Sequence, residues 1–81
     1  MHGVAADKFD AALKLLKGLR DTDREARVLG PATASCMAAE RYADALQHAA
    51  RHVSLVARHP EQVALVAAQI REIKARMGAG K

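Results

Sequence analysis

Two apolar seams in matching register flank a single proline, and this pairing constrains the fold more than any other feature of the chain. Before the proline, Tyr42, Leu46, Ala49, Val53 and Val56 recur at 4-3-4-3 spacing; after it, Val63, Val66, Ile70, Ile73 and Met77 recur at 3-4-3-4 spacing. Each set falls on one side of an α-helix, in the pattern that packs against another helix. Pro60 suits a first helical position, where its missing N–H has no helical partner, and it pushes His59 out of helical geometry. Glu61 suits the first turn of the following helix, and Lys74 and Arg76 its last. Two such seams joined by a short turn make an antiparallel helical hairpin.

No glycine or proline interrupts Ala32 to His59. The spacing therefore predicts one long helix over 33–58, capped by Thr33 or Ser35, and a second over 60–77. At 1.5 Å rise per residue these extend roughly 39 Å and 27 Å. Ala39, Ala43, Ala50 and Ala57 flank the first seam and let a neighbouring backbone come close. The tail "GAGK" is expected to end the last helix and fray.

Upstream, "AADKFDAALKLLKGLR" places Phe9, Ala12, Leu13, Leu16 and Leu19 on one face, with Lys8, Asp10, Lys14 and Lys17 on the other. That predicts an amphipathic helix over 4–19 covering part of the hairpin's open groove. "TDRE", Thr22 to Glu25, has the form of a capping box. It predicts a short helix over 22–29, stopped by Gly30-Pro31. The expectation is a single all-α domain over 1–81: a small three- to four-helix unit built on the antiparallel hairpin.

Composition agrees and sets limits. The chain has 81 residues, 51% of them hydrophobic, with only Phe9 and Tyr42 aromatic. Much of the apolar share is alanine, which favours helix but adds little core volume. One cysteine, Cys36, excludes an internal disulfide and fits a reducing compartment. A chain this small then needs a metal, idealised packing or association to supplement its core. The amino terminus has no signal-like run, and the longest apolar stretch, Val63 to Ala68, is far short of a membrane span. A cytoplasmic protein with no membrane partner is expected. The net charge of +4 is spread along the chain without a block of one sign, as on a mixed solvated surface.

"ATASCMAAERYADALQHA" invites comparison with a tetratricopeptide-type helix pair. Arg41-Tyr42, Ala45-Leu46 and Ala49 resemble the start of that motif's second helix, and His59-Pro60-Glu61 resembles its closing turn. The chain departs from the pattern in three places. Glu40 stands where the motif has glycine, Pro60 comes about three residues late, and Ala32, Thr33 and Cys36 replace the large residues of the first helix. The likeness covers about a third of the chain. It implies a scaffold that binds a peptide or partner protein.

Three constellations could carry chemistry. Asp44, His48 and His52 form a line one helical turn apart, which can offer ligands to Zn²⁺ or another divalent metal. With His59 the histidines span about 40° by the helical-wheel rule, on a flank shared with Arg41, Arg51 and Leu55 and set off from the apolar seam. The competing readings are a solvated or structural flank and a pH-sensitive contact. Cys36, in the first turn of the expected long helix, reads either as an activated thiol or as a small apolar core residue. Arg41, Arg51, Arg58, Arg71, Lys74, Arg76 and Lys81 could meet phosphates, but without aromatics to stack on bases.

No catalytic arrangement emerges. "GAGK" lacks the strand and helix of a phosphate loop. Asp21 and Asp23 sit in a turn with capping duty, and Asp7 and Asp10 fall on a solvated face. The leading expectation is a non-enzymatic, cofactor-free helical interaction module, self-associating or clasping a partner helix in the manner of an adaptor or chaperone. Leu15, Leu55 and Leu65, each off its helix's main seam, would form the contact, with Tyr42 as anchor. The alternatives are a basic nucleic-acid-associated protein and a metal-binding regulator using Asp44, His48 and His52.

Overall fold

The structure, a computed structural model, describes residues 2–79, with side chains described for 4–78. Four helices follow one another: α1 (His2–Leu19), α2 (Thr22–Ala38), α3 (Tyr42–Leu55) and α4 (Pro60–Ala79). The all-α expectation holds, and no strand occurs among the described residues. The helices stack in chain order, α1 on α2, α2 on α3 and α3 on α4, within a slab of 38 × 30 × 15 Å. The α3/α4 hairpin is the one the two seams predict. The helix α1 does not fill that hairpin's groove; it packs on α2.

Two boundaries differ from the sequence reading. The first is Gly30-Pro31, which does not stop a helix: α2 runs through it to Ala38. The cause is a continuous buried stripe, Glu25, Leu29, Ala32, Thr33 and Cys36, which crosses the Gly-Pro pair at helical spacing. Pro31 is exposed on the opposite side, as is Arg27, whose carbonyl loses its helical partner to the proline. That carbonyl lies on the side open to water, so the break in the ladder is tolerated. The Thr33 hydroxyl donates to the Leu29 carbonyl at 2.7 Å, which satisfies its buried oxygen within the helix.

The second difference is at Ala39–Arg41, where the expected helix 33–58 is broken. Glu40 adopts φ 60° and the chain reverses. The Glu40 N–H donates to Met37 O (3.0 Å) and the Arg41 N–H to Cys36 O (2.8 Å). These are the paired bonds of a Schellman motif, which satisfies the last carbonyls of a helix. The α1–α2 turn repeats it: Arg20 has φ 57°, its N–H donates to Lys17 O (3.1 Å), and the Asp21 N–H donates to Leu16 O (3.1 Å). Glycine, the usual residue in this left-handed conformation, is absent from both turns, which is why neither signal is visible in composition. Thr22 is also not a cap. Asp21 takes that place, its carboxylate accepting from the Arg24 N–H at 3.2 Å, and Glu25 turns inward instead of reaching back.

The core is thin and alanine-rich. Its larger part joins Ala6, Cys36, Ala45, Ala49, Val56, Val66 and Ile73, with the half-buried seam residues Tyr42, Leu46, Val53, Val63 and Ile70 around them. A smaller part joins Leu13, Leu29 and Ala32, closed by Phe9, Val28 and Leu55. Ala6 of α1 belongs to the same cluster as Ala45 and Ala49 of α3.

Candidate functional site

The histidine-bearing flank of α3 is not a solvated face. It is the side that meets α1 and α2. Arg41, at the amino-terminal end of α3, donates through Nη1 to Asp7 Oδ1 of α1 at 2.7 Å. About two turns on, His48 Nε2 lies 2.8 Å from Asp10 Oδ1, also of α1. Next, Arg51 grips Glu25 of α2, Nε to Oε2 at 2.8 Å and Nη2 to Oε1 at 3.2 Å. Leu55 then closes the smaller core cluster against Leu13 and Leu29. A single line of α3 thus carries three charge-assisted links and an apolar end, all directed at other helices.

These links differ in their surroundings. The Arg41–Asp7 pair is open to solvent, and the pairing raises the Arg41 pKa further, mainly through the hydrogen bond. The Glu25 side chain is only 1% exposed while Arg51 reaches it from a half-exposed position. The Arg51 hydrogen bonds hold Glu25 below the usual carboxylate range, against the opposing effect of burial.

Asp10, Cys36 and His48 converge from three different helices. Their ligand-type atoms, a carboxylate oxygen, a thiol sulfur and an imidazole nitrogen, all lie within 4.8 Å of one another. Cys36 forms the buried floor; Asp10 and His48 are half-buried above it. Burial raises the thiol pKa, and the nearby carboxylates of Asp10 and Asp44 raise it more. Cys36 is therefore no activated nucleophile; its place in the last turn of α2, at the negative end of the helix dipole and not in a first turn, removes the helix-dipole argument for one. Asp44 lines the same shallow groove as Asp10 and His48.

The expected metal line Asp44–His48–His52 does not assemble as one site. His48 is held by Asp10, whereas His52 turns toward Gly30 of α2, lining a different groove with Arg27, Val56 and His59. The His52 Nδ1 is buried without a hydrogen-bond partner among the described residues, and burial lowers its pKa.

The four residues expected to bind a partner separate. Leu15 and Leu65 are exposed, at 65% and 73%. Leu55 is not available: it is half-buried in the smaller core cluster. Tyr42 is half-buried against the larger one, on the α4 side, with the Arg76 guanidinium beside it. Two residues join Leu15 that the sequence reading did not single out for contact, Val4 and Leu19, exposed at 47% and 66%. At about 100° per residue, Val4, Leu15 and Leu19 fall within about 60° of one another, on an arc centred about 140° from that of buried Ala6, Leu13 and Leu16. The helix α1 is thus apolar on two sides. The inner stripe ends at Leu16, so Leu19, which its three-residue spacing from Leu16 places on the inner face, is exposed instead.

Comparison of the chain with protein-family models, with curated proteins and with solved structures gives no match. No helix among the described residues is long and apolar enough to cross a membrane.

Proposed function

We propose that this chain is a non-enzymatic helical interaction module that associates with a second copy of itself through the outer face of α1. The observation that carries this reading is the exposed line of Val4, Leu15 and Leu19. Inside the stack, each inter-helix surface is covered by the next helix in the chain. The outer stripe of α1, on which Lys8 stands between Val4 and Leu15, has none of the described helices upon it. Small chains with thin cores commonly gain stability by association, and a two-fold dimer would set one α1 stripe against its copy. Leu65, exposed on α4, lies apart from this stripe and takes no part in the proposed contact. The buried free thiol of Cys36 suits a reducing, cytoplasmic setting. The tetratricopeptide-like features of α3 favour the related role of clasping a partner helix.

Sedimentation over a wide concentration range tests the proposal. A dimer is expected that Leu15→Glu/Leu19→Glu converts to a folded monomer and Leu65→Glu leaves intact. A strict monomer at all concentrations would overturn self-association. A monomer that co-purifies with another protein, and loses it in the Leu15→Glu/Leu19→Glu variant, would move the reading to partner clasping.

A further inference from the structure

We propose that Asp10, Cys36 and His48 form a binding site for one Zn²⁺ ion, which staples α1, α2 and α3 together. The three donors come from different helices and yet bring oxygen, sulfur and nitrogen ligand atoms within 4.8 Å of one another. Zinc bonds of about 2.0–2.3 Å in tetrahedral geometry place ligand atoms about 3.3–3.7 Å apart. The present spacing therefore needs side-chain adjustment, not backbone rearrangement. His48 Nε2 and Asp10 Oδ1, now 2.8 Å apart in a hydrogen bond, would part slightly to admit the ion.

The donor set selects the metal class. A thiolate and an imidazole with one carboxylate suit Zn²⁺, whereas Mg²⁺ and Ca²⁺ require oxygen ligands. On binding, the Cys36 thiol proton leaves to solvent and His48 takes the neutral tautomer with its proton on Nδ1, which frees Nε2; one metal–oxygen, one metal–sulfur and one metal–nitrogen bond then replace three metal-bound waters, the S–H bond and the His48–Asp10 hydrogen bond. The fourth position opens toward the groove that Asp44 lines, where its carboxylate or a water completes the tetrahedron. The site also answers a structural need. The chain has no disulfide, and a tie across three helices is one of the few other devices that stabilise a small thin core.

Titration of the purified full chain with Co²⁺, and native mass spectrometry with Zn²⁺, test the assignment. One equivalent of Zn²⁺ per chain is expected, with thiolate-to-cobalt charge-transfer absorption and the d–d bands of tetrahedral Co²⁺. Zn²⁺ should raise the melting temperature while Mg²⁺ does not. Cys36→Ser should abolish the charge-transfer band, and His48→Gln should weaken binding at least tenfold, with circular dichroism confirming that both variants fold. His52→Gln should bind like the parent. Absence of Zn²⁺ uptake by the folded protein would overturn the site, as would uptake that survives both Cys36→Ser and His48→Gln, or loss of binding only with His52→Gln.

Discussion

Arg51 and Glu25 stand 26 residues apart and form a two-pronged ion pair between α3 and α2, at 2.8 and 3.2 Å, with the carboxylate enclosed and the guanidinium half in solvent. The asymmetry decides how the pair behaves when broken. Removing Arg51 strands a buried negative charge, whereas removing both partners strands nothing. Arg51→Ala is expected to cost about 3 kcal/mol, toward the lower limit for buried pairs because Arg51 is partly hydrated. The double variant Glu25→Leu/Arg51→Leu should recover most of that loss in urea denaturation. A double variant as unstable as the single one would contradict this account.

The same pair gives an acid dependence. Glu25 has its pKa lowered in the fold, principally by the Arg51 hydrogen bonds. A carboxylate with a depressed folded pKa contributes stability that is fully present above its unfolded value, near 4.5, and is lost as pH falls through the folded value. Glu25→Gln should reduce stability at neutral pH and flatten the profile below about pH 4.5. An unchanged slope in that window would show that Glu25 does not titrate with folding.

His52 acts in a higher window. Burial lowers its pKa below the ordinary value of 6.5, so the fold prefers the neutral ring. Stability from this group is complete above that value and declines as pH falls from there toward the folded pKa. His52→Leu removes a buried, unpartnered nitrogen and keeps an apolar group against Gly30. It is expected to be neutral or stabilising at pH 7, and to reduce the loss of stability that the parent shows as pH falls below about 6.5. A steeper loss in the variant would refute the assignment.

The turns at Arg20 and Glu40 are sites for gain. Both residues hold a positive φ, 57° and 60°, in Schellman turns. Glycine adopts that conformation without a Cβ penalty of about 1–2 kcal/mol, offset in part by its freer unfolded chain. Arg20→Gly and Glu40→Gly should each stabilise by about 0.5–1 kcal/mol, with additive effects at such separated sites. Thermal melts would read each as roughly 2–8 °C. A drop in melting temperature for either would mean that its turn is not left-handed.

Gly30 offers the converse change. It sits inside α2 without positive φ, and a Cβ there would meet His52 Cε1 at 3.7 Å, an ordinary contact. Gly30→Ala should stabilise by about 0.5–1 kcal/mol. Destabilisation on denaturant titration would indicate closer packing between α2 and α3 than the present spacing.

The α3/α4 hairpin was the most legible part of the sequence, because two uninterrupted seams and Pro60 all state the same arrangement. The length of α2 was not, since Gly30 and Pro31 argue locally for a stop while the buried stripe from Glu25 to Cys36 is visible only once the helix is assumed to continue. The break at Glu40 carries no glycine or proline to announce it. The same limit governs the site. His48 was singled out, but with partners one turn away on its own helix, whereas its actual neighbours Asp10 and Cys36 come from two others. Helical periodicity identifies the residues that share a helix face; it does not identify the helix that face meets. A clue was present in α3 itself, which has more groups suited to burial or pairing than one neighbour can use: the seam for α4, and Arg41, His48, Arg51 and Leu55 left over for α1 and α2.

Because the helices stack in chain order, most of the packing closes short loops, and the entropy cost of bringing partners together stays low. Such low contact order favours fast folding, in the microsecond to millisecond range of small helical proteins. It also divides the molecule. The helices α2 and α3 each pack on two neighbours, while α4 packs on one. Amide exchange should therefore be slowest across Leu29–Cys36 and Ala45–His52 and fastest along α4, whose detachment leaves the α1–α2–α3 tie undisturbed.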